Sequence, residues 1–258
     1  MTTNIPTSPP PGWYPAPDGS SETWWWDGAR WAHPQPQHQP EQRPDATNAI
    51  AKLAMATQVL LLVCIVMSVA TIGVETFGII TIADYLNGDD TAVDRFDTYD
   101  QSTFVVSILS SLVLITTAVI WVIWQYRVAK QVTGRTRRSP GWHAGSWFVP
   151  IISLWFPYQN VSDLWRAVGR TRPSWQIIWW LLWVVSNYVI QLSGRIYLVA
   201  EDLETMRVAM WMSLAGEVLL LAAAPLAWLV IRGITRGILQ RPSNPVPAFA
   251  GGLTITPS

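Results

Sequence analysis

Four long apolar runs, separated by polar stretches, set the pattern of this chain. They cover about residues 53–74 (with further apolar residues to 83), 104–126, 175–192 and 208–231. Each is close to the roughly 20 residues a helix needs to cross the hydrocarbon core. Lipid cannot satisfy a bare backbone, so the runs predict helices. Before them lie two short aromatic runs, Pro10-Pro11-Gly12-Trp13-Tyr14-Pro15 and Trp24-Trp25-Trp26-Asp27-Gly28-Ala29-Arg30-Trp31, with turn signals at Asp18-Gly19 and Asp27-Gly28. They predict a two- or three-stranded unit over residues 1–32, with Trp13, Tyr14, Trp26 and Trp31 as its core or binding face. So small a sheet is marginal by itself. Residues 33–48 are rich in Pro, Gln and charge and read as an extended linker. Residues 49–240 form the membrane domain, and residues 241–258 a disordered tail.

Residues 139–158, between the second and third runs, are apolar enough to suggest a fifth span. The stretch is short, Pro150 interrupts it and Pro157 closes it. A fifth crossing would also carry Arg166, Arg170 and Arg172 to the opposite side from Arg137 and Arg138. The segment is therefore expected to enter one leaflet, or its interface, and return. Such irregular backbone is tolerated where protein or water covers it. Beyond it, Val161, Leu164, Trp165 and Val168 recur at i, i+3, i+4 and i+7 and predict an amphipathic helix over residues 160–170. Asp163, Arg166 and Arg170 fall off that face. The expectation is a helix on the inner leaflet whose cations, with Arg137 and Arg138, meet anionic lipid head groups. The fold class expected is thus an all-α membrane protein of four transmembrane helices, with this segment and a small aromatic β-type N-terminal module.

Composition agrees. Half of the 258 residues are hydrophobic and only 13% are charged, about half the charged fraction usual in soluble domains. The 17 Trp suit membrane–water interfaces. Net charge is zero, which gives no reason to expect a nucleic-acid partner. The single Cys64 excludes an internal disulfide framework, and the polar first 48 residues hold no signal-peptide core. Charge distribution orients the chain. Residues 84–103 carry Asp84, Asp89, Asp90, Asp94, Asp97 and Asp100 against Arg95, whereas residues 127–173 carry eight cations against Asp163. The tail adds Arg232, Arg236 and Arg241, and Arg43 and Lys52 flank the first run. Basic segments stay in the cytoplasm, so both termini are expected there, in a multi-pass protein of the cell membrane.

Glu217 lies near the middle of the fourth run, where a charge costs at least a few kcal/mol. In the third run, Trp175, Trp179, Trp183, Asn187, Gln191 and Arg195 recur every four residues along one ridge. Asn187 and Gln191 are the expected partners of Glu217, in a proton or cation site or in one interhelical hydrogen bond. Glu75 and Arg195 are a second expected pair. His143 is a candidate pH-sensitive group. No His or Cys stands at metal-ligand spacing, and neither a metal nor another cofactor is expected.

Two motifs carry resemblances. Residues 139–167 read S-P-G-W, G-x-W-F-V-P-I, L-W-x-P-Y-Q and D-L-W-R-A, with Pro140, Gly141, Trp142, Trp147, Pro150, Trp155, Pro157 and Trp165 as the signature positions. This resembles domain-of-unknown-function family 4328, a multi-pass family common in actinobacteria, over roughly residues 50–240. Ser153 stands where that family often has Asn. The head, with P-P-G-W-Y-P and W-W-D-G-x-x-W, resembles domain-of-unknown-function family 2510, departing at Ala16 and Trp24. Neither resemblance implies an activity. The expected function is a non-enzymatic membrane scaffold or interaction protein whose head binds a cytoplasmic protein, such as one presenting a Pro-rich peptide. The alternative is a small transporter or channel component built on Glu217, acting as a homo-oligomer because four spans are few.

Overall fold

The computed structural model describes residues 9–32 and 44–240. They fall into two compact units, divided between Arg43 and Pro44. Most of the segment read as a linker, and the tail from Arg241, lie outside the described residues.

In the first unit, β1 (Gly12–Pro15), β2 (Thr23–Trp26) and β3 (Trp31–Ala32) form an antiparallel sheet in that order. Both expected turns are present. At the second, the Asp27 carboxylate accepts from the backbone N–H groups of Ala29 (2.7 Å) and Arg30 (2.6 Å), and Gly28 takes the positive φ the bend needs. Those two donors hold the Asp27 carboxyl below its ordinary range. Register pairs Trp13 with Trp25, Tyr14 with Trp24, and Trp26 with both Gly12 and Trp31. Side chains alternate across a sheet, so Tyr14, Trp26 and Trp31 share one face. Trp13 and Trp25 share the other.

The second unit is an all-α membrane fold. Four of its helices are long and apolar enough to cross a membrane. They are α1 (Pro44–Leu86), α2 (Val93–Gln131), α5 (Gln176–Val199) and α6 (Leu203–Leu239). Helix α1 begins at Pro44, inside the stretch read as extended. Helix α6 packs against both α1 and α5, and α1 against α2. The turns α1–α2 and α5–α6 leave the bundle at one end, here called the acidic end. There Arg95 binds Asp84 (2.8 Å) and Asp89 (2.9 Å). Asp202 caps α6 by accepting from the Thr205 N–H.

The segment between α2 and α5 sits at the other, basic end and makes no fifth crossing. It holds α3 (Pro140–Gly145), a short 3-10 turn at Ile152–Leu154 and α4 (Phe156–Ala167). Ile151 has φ 65°, an outlier for a β-branched residue. The Ile152 N–H donates to the Pro150 carbonyl at 2.7 Å, so Ile151 is the centre of a tight γ-turn. Phe148 and Ile151, 74% and 70% exposed, form an apolar tip.

The expected amphipathic helix is present as α4, and more of it is covered than its apolar face. Val161, Leu164, Trp165 and Val168 are buried as predicted, but so are Asn160, Ser162 and Asp163. Helix α4 is enclosed on most of its circumference. Its polar residues are paired within the protein. Arg137 binds Asp163 at 2.8 Å, and Arg138 binds Asn160 (3.2 Å) and Gln159 (2.6 Å) with its guanidinium over the Phe156 ring. Both arginines thus have partners inside the protein, while the side chains of Arg137 and Arg166 also remain exposed.

Candidate functional site

Two polar clusters lie inside the bundle. The one at the basic end is built on the signature segment. Gln125 of α2, fully buried, accepts through its side-chain oxygen from the indole N–H groups of Trp121 (3.1 Å) and Trp147 (2.9 Å). Around this node the indoles of Trp121, Trp124, Trp147, Trp179, Trp180 and Trp183 form a layer. Trp121 stacks on Trp179 with centroids 5.8 Å apart, and Trp180 on Trp183 at 5.2 Å. Trp180 donates to the Leu154 carbonyl, Trp124 to Thr235 of α6, and Gln176 to Tyr158 and Ser162.

Signature positions thus have distinct jobs. Pro140 and Pro157 occupy the first turns of α3 and α4, where a missing N–H costs nothing. The Trp142 carbonyl accepts from Asn160, and Pro150 accepts within the γ-turn. Trp155 meets Phe156 edge-on at 6.1 Å. Gly141 has room for a side chain, so no close contact explains it. Trp165 lies against Gly233 of α6, where a Cβ would stand 1.9 Å from the ring. Asn160 also donates to Ser146. His143 is fully buried, neither ring nitrogen has a partner among the described residues, and burial pushes its pKa down to about 4.

This is a packed node rather than a pocket, and its parts come from one matched region. Residues 87–236 match the family described as Domain of unknown function (DUF4328). The chain belongs to that family. No curated protein and no solved structure matches it significantly. The DUF4328 match spans α2 to α6 and starts at Asn87, later than the resemblance had implied, so α1 stands outside it.

The second cluster joins α1 to the DUF4328 helices nearer the acidic end. Ser213 of α6 donates to one oxygen of Glu75 at 3.1 Å. The other oxygen of Glu75 is buried without a partner among the described residues. Beside it, Thr71, Val74, Glu75, Thr103, Val106 and Ser107 line a cavity of about 20 Å³. Glu217 follows Ser213 by four residues on α6 and approaches Ser68 of α1. Cys64 meets Thr117 at 3.4 Å further on.

The expected partnerships are not the ones formed. Asn187 donates to the Trp183 carbonyl of its own helix (2.7 Å). Gln191 and Arg195 are exposed. Glu217 therefore faces α1 rather than α5, and Glu75 pairs with Ser213 rather than Arg195. Helix α6 meets α5 through Gly216, which lies against Ile190.

Sequence reasoning missed Gln125, Asn160, Gln176, Thr103 and Ser107. A signal existed on α2, where Thr103, Ser107, Ser110 and Thr117 recur at i, i+4, i+7 and i+14. In the head, Trp26 donates to the Pro9 carbonyl (3.0 Å) and Tyr14 to Pro10 (2.9 Å). Trp31 meets Tyr14 and Trp26 at 6.2 and 5.0 Å. The chain's own prolines thus cover the face expected to take a Pro-rich peptide. Trp13 does not belong to that face; it is 61% exposed and meets Trp25 edge-on at 5.5 Å.

Proposed function

We propose that this protein is a non-enzymatic, multi-pass protein of the cell membrane, with both termini cytoplasmic, whose head is a recognition module for a protein partner. One observation carries the reading: an exposed Trp13–Trp25 pair on a sheet whose other face is already closed by Pro9 and Pro10. A rigid aromatic pair offers large contact area at low entropic cost. The head's motifs, which resemble domain-of-unknown-function family 2510, and the actinobacterial setting belong to the same proposal. The cations exposed at the basic end, Arg127, Lys130, Arg135 and Arg166, are suited to anionic lipid of the inner leaflet.

Photocrosslinking in cells tests it. A photoreactive residue at position 13 is expected to give a discrete crosslinked protein, lost when Trp25→Ala is added. The same residue at position 20, exposed in the turn, gives none. No adduct from position 13, or equal adducts from both positions, overturns the proposal.

A further inference from the structure

The acidic-end cluster does more than hold helices together. A carboxyl kept only for structure would spend both oxygens in hydrogen bonds, since an unmet polar atom away from water is costly. Glu75 spends one, on Ser213; the other has no partner among the described residues, and Glu75 lines a cavity. That cavity, about 20 Å³, exceeds the ~10–15 Å³ a water needs. Its polar lining is hydroxyl: Thr71 from α1, and Thr103 and Ser107 from α2. The Thr103 hydroxyl is buried beside the Tyr99 phenol. A water there would meet the unbonded oxygen of Glu75 and the hydroxyls that line the cavity.

The ionisable neighbours are all acidic or phenolic. Tyr99 comes from α2, Tyr197 from α5 with Asp100 beside it, and Glu217 from α6, with Cys64 of α1 beside Glu217. Among the described residues no Lys or Arg bonds either glutamate. Two carboxylates without a cation repel each other in a low-dielectric setting. Holding a proton relieves that repulsion. Glu217 lies four residues beyond Ser213, about 6 Å along α6, so the two carboxyls interact.

We infer that Glu75, with Thr71, Thr103 and Ser107 around the cavity, is an exchangeable proton-binding site in the membrane domain, with Glu217 as a coupled second carboxyl. The step is a simple protonation. A hydronium reaching the cavity water gives its proton to the free oxygen of Glu75, leaving water and a neutral acid. Nothing is oxidised or reduced. This site is independent of the head and of what the head binds.

Infrared difference spectroscopy on the full chain in lipid nanodiscs tests it, by following the carbonyl stretch of protonated carboxyls through a pH titration. The wild type is expected to show such a band, growing on acidification and shifting in D2O. Glu75→Gln keeps the bond to Ser213 and should abolish the band assigned to Glu75. Glu217→Gln removes the coupled acid and should shift the midpoint of the remaining band. Thr103→Val alters the cavity without touching either carboxyl, and should shift the midpoint while leaving the band present. It keeps the test open if the glutamate variants fail to fold. Three results overturn the inference. One is a band indifferent to Glu75→Gln. Another is a carboxyl whose protonation does not change over the pH range in which the protein stays folded. The third is a Thr103→Val titration identical to the wild type.

Discussion

His143 shows what burial does to a single residue. It is enclosed at the basic end with both ring nitrogens unpartnered. Removal from water pushes its pKa from 6.5 down to about 4, against the pull of Asp163 and with the push of Arg138. Above 6.5 the ring is neutral folded and unfolded, and contributes no pH dependence. Between 6.5 and about 4 the unfolded chain takes up a proton the folded chain refuses, so stability falls as pH falls. Thermal unfolding in detergent should show this loss across that window, and His143→Phe should flatten it. A wild type whose melting temperature is level across the window contradicts the reading. The sequence marked His143 and Glu217 as unusual, but not their surroundings. Asp163 read as off the apolar face because periodicity describes one side of a helix, and α4 is covered on nearly all sides.

Among the elements, α4 and α6 are joined by missing side chains. Trp165 and Val168 of α4 rest on Gly233 and Gly237 of α6, where added Cβ atoms would come within 1.9 and 2.6 Å. The spacing is the small-xxx-small pattern that lets membrane helices approach closely. Gly233→Ala should destabilise the bundle by about 1–3 kcal/mol through overpacking. Gly73→Ala, on α1 with open space around it, should cost nothing. Equal melting temperatures for the two variants would count against this contact. Span positions were legible because hydropathy alone decides what lipid accepts. Helix ends were not. Helix α1 runs 43 residues, about 65 Å, and polar residues such as Asp45 and Asp84 extend it past the apolar run. The Gln125 node was illegible because it joins α2 to a loop 22 residues away.

For the whole molecule, charge separation and the fold agree. The acidic turns leave the bundle together at one end, and the cationic segment lies at the other. With Cys64 replaced by Ser, single cysteines at positions 90, 136 and 240 report sidedness. Position 90 should react with an impermeant reagent on intact cells, and positions 136 and 240 only after permeabilisation. Reaction of position 136 from outside reverses the proposed topology. The head's sheet was legible from its turns and aromatic runs. Which face it keeps open was not, because Pro9 and Pro10 reach back over it through hydrogen bonds that no local pattern announces.

The indole layer at the basic end also has an optical consequence. Trp121 with Trp179, and Trp180 with Trp183, are chromophores stacked at 5.8 and 5.2 Å, and Trp147 meets three of these four edge-on. At such separations transition dipoles couple, and excitation passes between rings faster than it is emitted. Light absorbed anywhere in the layer is therefore shared by indoles from α2, α5 and the segment between them. Their near-ultraviolet circular dichroism belongs to the assembled array, and loosening any one of those elements dims a signal that no single tryptophan owns.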